Sequence, residues 1–142
     1  MKVLAVDYGS RSVGIASGDS SMKVAFPKCV VKNIGDDLVA ESILRICENE
    51  GYELVVFGMP FCEDGSKGEQ YNRVNRFIGL FKTVMNDKGV SLMTKCIDER
   101  FSSFEADDYL ADFKGKKVRK NVGDRDMIAA KVILDRYFAG LD

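Results

Sequence analysis

The 142-residue chain is 46% hydrophobic and 30% charged, with a formal net charge of −1, the make-up of one globular domain large enough to bury a core without staples. No apolar run approaches the roughly 20 residues of a membrane span, the N-terminus lacks a signal-peptide pattern, and the absence of histidine excludes Ser-His and Cys-His nucleophilic machinery within the chain. Cys29, Cys47, Cys62 and Cys96 have no C-x-x-C spacing, which predicts four reduced thiols in a cytoplasmic protein rather than a zinc or disulfide framework.

The first predicted element is the apolar run Val3 to Val6, which ends on Asp7 and is followed after a glycine-bearing turn by a second apolar stretch, Val13 to Ala16. This reads as a hairpin whose first strand is buried on both faces. Gly9 and Gly14 leave space beside Asp7, so its carboxylate can face a cation or a phosphate; a turn-capping Asp is the plain alternative. Val24 to Val31 has strand composition but contains Pro27, which cannot donate a ladder hydrogen bond, so this strand belongs at a sheet edge.

From Asp37 to Asn49 the residues Val39, Ile43, Ile46 and Cys47 recur at helical spacing, with Gly51 placed to end the helix. Leu54 to Gly58 is a short, wholly apolar strand of the kind that needs cover on both faces. The loop after it carries Glu63 and Asp64 at a strand end, where sites of open α/β sheets gather, although Asp64-Gly65 is also an ordinary turn. Tyr71, Val74, Phe77, Ile78, Phe81, Val84 and Met85 then predict a long amphipathic helix ending near Gly89.

Val90 to Ile97 predicts a fifth strand that delivers Asp98, Glu99 and Arg100 to its end. Ser102 to Glu105 fits a capping box for a helix to about Phe113, and the Ser102 and Ser103 hydroxyls could instead meet a phosphate at that helix N-terminus. Lys114, Lys116, Lys117, Arg119 and Lys120 then form a basic segment on an otherwise acidic body, either a polyanion contact or a solvated loop. A last helix is expected from Asp124, its cap, with Asp126 in the first turn on the side shared with Ala129, Ala130 and Ile133.

The order of three strands, helix, strand, helix, strand, helix, helix predicts a mixed sheet with helical cover. Asp7 and Glu99 fall at strand ends, and Asp126 lies on a helix that can pack near them. Three carboxylates without histidine or cysteine partners suit hard, oxygen-preferring cations such as Mg²⁺ or Mn²⁺, which can serve phosphodiester hydrolysis.

Four segments taken in order, Asp7-Tyr8-Gly9 with Gly14, Gly58-Met59-Pro60 with Asp64-Gly65-Ser66, Asp98 to Ser103, and Asp126 to Ala130, resemble the motifs of the YqgF family, described as pre-16S rRNA nucleases or Holliday junction resolvases. The resemblance covers nearly the whole chain. It implies a single α/β domain over 1–142 with the RNase H-like fold, a five-stranded mixed sheet of order 3-2-1-4-5 flanked by helices. It also implies that Asp7, Glu99 and Asp126 are the catalytic, metal-binding acids of a Mg²⁺- or Mn²⁺-dependent nuclease. The expected nucleic-acid contacts are Arg11, Arg100, Ser102, Ser103, Lys116, Lys117, Arg119 and Lys120. The expected partner is an rRNA precursor or branched DNA, with no membrane, and the protein is expected as a monomer or homodimer. Two positions depart from the pattern: Ser12 stands where the family usually has an arginine, the arginine here being Arg11, and Gly58 stands where resolvases of the RuvC type carry an acid. A noncatalytic nucleic-acid-binding module is one rival reading. The phosphate loop of actin-like ATPases is another, but those need two such domains.

Overall fold

Val3 to Val6, each fully buried, form the heart of strand β1 (Lys2–Asp7), and the architecture follows from covering both of its faces. A computed structural model describes residues 1–61, 64–99 and 122–141, without the side chains of 122–124. The elements in chain order are β1, β2 (Ser12–Asp19), β3 (Val24–Lys32), α1 (Asp36–Glu50), β4 (Leu54–Met59), α2 (Glu69–Asp87), β5 (Met93–Asp98) and α3 (Val122–Ala139). They build one sheet of order β3-β2-β1-β4-β5. The first three strands run antiparallel, while β4 and β5 run parallel to β1, so the predicted mixed sheet and its order are the ones found.

Alternation along β1 assigns the two layers. Leu4, Val6 and Tyr8 join the core with α1 and α2 residues such as Val39, Ile43, Phe77 and Phe81. Val3 and Ala5 join the opposite core with Ala130, Ile133, Leu134 and Phe138 of α3. Each large side chain removed from water in these rows contributes roughly 1.5–3 kcal/mol. Strand β4 is buried at every position, as a continuous apolar run sandwiched between helices must be.

Strand β3 lies at the edge, where Pro27 opposes Ala16 beside a register shift between Ile15 and Ala16, and the missing amide is tolerated there. Two boundaries differ from the sequence reading. Strand β5 starts at Met93 rather than Val90, because the Val90 N–H bonds back to the Met85 carbonyl at 3.0 Å and so closes α2. Helix α3 starts at Val122, which puts Asp124 inside the first turn instead of at the cap. The helix expected at 102–113 and the basic segment lie outside the described residues.

Gly14 decides how α3 sits. A Cβ there would run into the backbone carbonyl of Asp126 and approach the Met127 nitrogen at 3.1 Å, so the helix rests directly on β2 at its second turn, one turn further in than the sequence placed Asp126. Backbone cannot yield as a side-chain tip can, and overpacking of this kind costs typically 1–3 kcal/mol. Gly14→Ala is therefore expected to lower the free energy of unfolding by about 2 kcal/mol or more, measured by urea denaturation. An unchanged midpoint would show that α3 is not seated on this glycine.

Candidate active site

Asp7 is the last residue of β1, and alternation turns it to the face of Val3 and Ala5, toward α3. Its cross-strand partner is Gly14, the glycine on which α3 rests. The two facts together bring Asp126 near enough for its charge to act on Asp7, a proximity of residues far apart in sequence that local pattern alone could not show. The Ser12 hydroxyl donates to Asp126 Oδ2, fixing the carboxylate beside the β1–β2 turn. Ala129 and Ala130, both buried, keep the next part of the helix thin enough for this close approach.

Glu99 arrives from the other side. The parallel pairing of β4 and β5 ends with Met59 opposite Asp98, and the Glu99 N–H extends the ladder by donating to the Met59 carbonyl at 3.0 Å. Glu99 is the only buried charged residue among the described residues, 8% exposed. Gly58 makes room for it: a Cβ there would sit 2.7 Å from Glu99 Oε2 and 3.0 Å from its carboxyl carbon. The glycine that departs from the RuvC pattern thus leaves the space that the Glu99 carboxyl fills. Arg136 of α3 donates to the Asp98 carbonyl at 3.0 Å, which ties the helix to the end of β5 and brings a positive charge toward Glu99.

Burial pushes the Asp7 carboxyl up to about 6 from its ordinary 3.8, with a hydrogen bond to Glu99 opposing the rise and the charge of Asp126 adding to it. Glu99 is raised well above the usual carboxylate range by burial first, then by the charge of Asp7 and the hydrogen bond with it, against the pull of Arg136. Two acids in contact cannot both ionise cheaply. The two carboxyls share a hydrogen bond, and their protonation belongs to the pair.

Of the residues expected to act, the structure brings Asp7 and Glu99 into contact and sets Asp126 where its charge acts on Asp7. Among the described residues no three His, Cys, Asp or Glu side chains form a tight ligand cage. The donor set, all carboxylate oxygen, nonetheless suits a hard divalent cation. Arg11 is exposed in the β1–β2 turn, its carbonyl accepting from the Asn33 N–H at 3.0 Å. Arg100, Ser102, Ser103, Lys116, Lys117, Arg119 and Lys120 lie outside the described residues, as does Glu63. Asp64 accepts the Ser66 N–H at 2.9 Å, the plain turn that its sequence allowed.

Ser12 and Arg136 are contacts that the sequence reading did not assign. Ser12 follows a turn and Arg136 sits in a last helical turn, and neither position carries a local signal beyond its polarity. Ser12→Ala should leave the fold intact and lower cleavage by roughly 10- to 100-fold, the usual effect of releasing the hydrogen-bond partner of a carboxylate, were Asp126 to hold a metal ion. Wild-type turnover by the folded variant would remove Ser12 from the site.

An RNase H-like domain is what this sheet order defines, with acids gathered at the carboxyl ends of β1 and β5 near the start of α3. The family model described as "RuvX: Holliday junction resolvase" matches residues 1–140, and the chain belongs to that family, the one its four motifs resemble. A "Putative pre-16S rRNA nuclease" of Maridesulfovibrio salexigens is 34% identical over 139 residues, 98% of each chain. One of the same name from Rickettsia typhi is 30% identical, over 94% of this chain and 81% of the relative. Among solved structures, Thermus thermophilus RuvC with a Holliday junction substrate superposes with a TM-score of 0.59 at 15% identity, covering 97% of this chain and 94% of that one. The fowlpox virus resolvase with junction DNA gives 0.60 at 14% identity, over 99% of each chain. At such identities the two structures speak for the fold. Among the described residues no helix is long and apolar enough to cross a membrane.

Proposed function

We propose that the protein is a cytoplasmic, Mg²⁺- or Mn²⁺-dependent endonuclease that processes the 5′ end of pre-16S rRNA, with Asp7, Glu99 and Asp126 as its catalytic, metal-binding residues. The observation that carries the catalytic part is the buried Asp7–Glu99 pair under the turn that bears Asp126. Bound between these carboxylates, a divalent ion would supply a nucleophile at neutral pH and charge neutralisation at the phosphate. The chain's own residues do the rest. Asp7 and Asp126 hold oxygen ligands from two elements that Gly14 locks together. Glu99 completes the pair with Asp7, and the apolar surroundings at Gly58, Ile133 among them, exclude bulk water. Ser12 keeps the Asp126 carboxylate oriented.

The choice of an rRNA precursor rests on the names of the full-length relatives. The family description favours a second reading, cleavage of branched DNA. Purified protein incubated with a precursor carrying the 16S 5′ leader and with a four-way DNA junction, in Mg²⁺ and in EDTA, separates them. Metal-dependent cuts at the mature 5′ end of the RNA with an intact junction are expected. Cutting of the junction alone would select the second reading. Binding without cutting in any metal would leave a noncatalytic module.

A further inference from the structure

Tyr8 follows Asp7 but faces the opposite side of the sheet, where its ring stacks on Phe77 with centroids 4.6 Å apart. On that side a cleft of about 320 Å³ is lined by Tyr8, Ser10, Asn33, Asp36, Arg73 and Arg76. Because Tyr8 and Ser10 belong to the turn after β1, the cleft opens at the same carboxyl edge of the sheet as the three acids.

The cleft carries groups of both signs. The Tyr8 hydroxyl donates to Asp36 Oδ1 at 2.5 Å, leaving the second carboxylate oxygen as an acceptor. Arg73 and Arg76, three residues apart and so on one face of α2, bring two guanidinium groups to the same lining, and the charge of Arg73 reaches the Tyr8 hydroxyl. Among the described residues Arg73 pairs with the exposed Glu69 at 2.8 Å, while Arg76 has no ion pair or hydrogen bond. The lining is braced by Asn33, whose side chain donates to the Gly9 carbonyl at 2.8 Å and accepts the Gly35 N–H at 3.2 Å, joining the turn after β1 to the start of α1.

An apolar ligand finds little in such a lining, and a lone anion that settles on the arginines gains nothing from Asp36. A ligand with a phosphate at one end and a hydrogen-bond donor at the other uses both. Guanidinium forks match phosphate oxygens, and a carboxylate oxygen accepts from a ribose 2′-hydroxyl or a base amino group. We propose that this cleft is a nucleotide subsite: it holds one nucleotide of the bound strand beside the cleavage point, phosphate on Arg73 and Arg76, sugar or base donor on Asp36. The assignment rests on the nuclease reading and adds a second grip, so that the strand crosses the carboxyl edge of the sheet from the acids on one face to the arginines on the other. The volume suits one nucleotide, being at the small end of the roughly 300–1,000 Å³ range of ligand pockets.

The test uses the Asp7→Asn protein in Mg²⁺, so that binding is read without hydrolysis, with fluorescein-labelled single-stranded RNA and DNA of one sequence as probes. Adding Arg73→Gln and Arg76→Gln should raise Kd for RNA by roughly 5- to 50-fold and flatten the plot of log affinity against log salt by about 0.7 per lost phosphate contact. Lys82→Gln, an exposed cation on the same helix outside the cleft, should change Kd by less than about twofold. In the otherwise wild-type enzyme the double arginine variant should raise KM and leave kcat within about threefold, since no acid is touched. Unchanged binding, or equal losses from the arginine and Lys82 variants, overturns the subsite and leaves the nuclease reading standing. Failure of the parent protein to bind either probe overturns the nuclease reading itself.

Discussion

Asp7→Asn is expected to abolish cleavage, by roughly a thousandfold or more, and at the same time to make the metal-free protein more stable near neutral pH. The first effect follows from replacing a charged oxygen of the proposed metal site with an amide of nearly the same volume. The second follows from the strain that the wild-type carboxylate imposes. Asp7 is desolvated, is pressed by the charge of Asp126, and is raised to about 6, so its ionisation at neutral pH works against the fold. Asparagine keeps the shape and removes the charge, and it can still meet the Glu99 carboxyl. On the order of 1–3 kcal/mol should return as stability, visible as a higher Tm in EDTA near pH 7.5 by a few degrees for a chain of this size. A variant that cleaves at the native rate would remove Asp7 from the chemistry. A variant that is inactive but less stable than wild type in EDTA would show that the Asp7–Glu99 contact holds the fold together instead of straining it. Opposite signs on activity and stability are the mark of a site whose geometry is imposed by its surroundings.

The strands, their burial and the helical cover were legible because their signals are local, whereas the sheet order came only with the family resemblance. Val3 to Val6 and Leu54 to Gly58 carry the unbroken apolar runs of doubly covered strands, and Pro27 marks an edge wherever the strand is placed. The heptad-like spacing of Val74, Phe77, Ile78 and Phe81 shows a helix with one buried face. The candidate acids were legible at a coarser level, as carboxylates at strand ends, together with a resemblance that spans the chain. What a linear reading could not supply were contacts set by tertiary seating. Gly14 was read as room beside Asp7, whereas the space is taken by the backbone of α3 at Asp126. Gly58 was read as a missing acid, whereas its bare Cα admits the Glu99 carboxyl. In each case the glycine is needed for an atom contributed from elsewhere in the chain, and no spacing rule connects the two. Boundaries slipped where backbone hydrogen bonds had two uses: the Val90 amide could extend β5 or close α2, and closing the helix wins. The cleft on the far side of the sheet was invisible for the same reason, since Tyr8, Asp36 and Arg76 meet only after α1 and α2 pack on one face.

Metal binding should stabilise the fold, and the size of the effect should grow with pH. The folded-state value of Asp7, about 6, lies above its ordinary 3.8, and that of Glu99 is also raised. Well below pH 3.8 both groups are protonated whether the chain is folded or not, and neither contributes to the pH dependence. As pH rises from 3.8, the unfolded chain releases the Asp7 proton first while the folded protein keeps it, so the folded state binds more protons and stability falls with pH. The loss from Asp7 is complete once pH has passed through about 6, and Glu99 adds a loss of the same sign, its own value being raised by burial first and then by the charge of Asp7. A divalent cation takes the place of those protons, so it has little to relieve at low pH and most to relieve when both acids would otherwise be charged. At a metal concentration about a hundredfold above Kd the gain is about 2.7 kcal/mol, a rise in Tm of roughly 5–10 °C near pH 8, shrinking toward zero near pH 5. Other carboxylates titrate over the same range, so the diagnostic quantity is the difference between wild type and Asp7→Asn, measured by calorimetry in Mg²⁺ and in EDTA across the range. The variant should lose most of the metal-induced rise and its pH dependence together. A rise of equal size in both proteins, or one that does not change between pH 5 and pH 8, would place the stabilising ion away from Asp7 and Glu99.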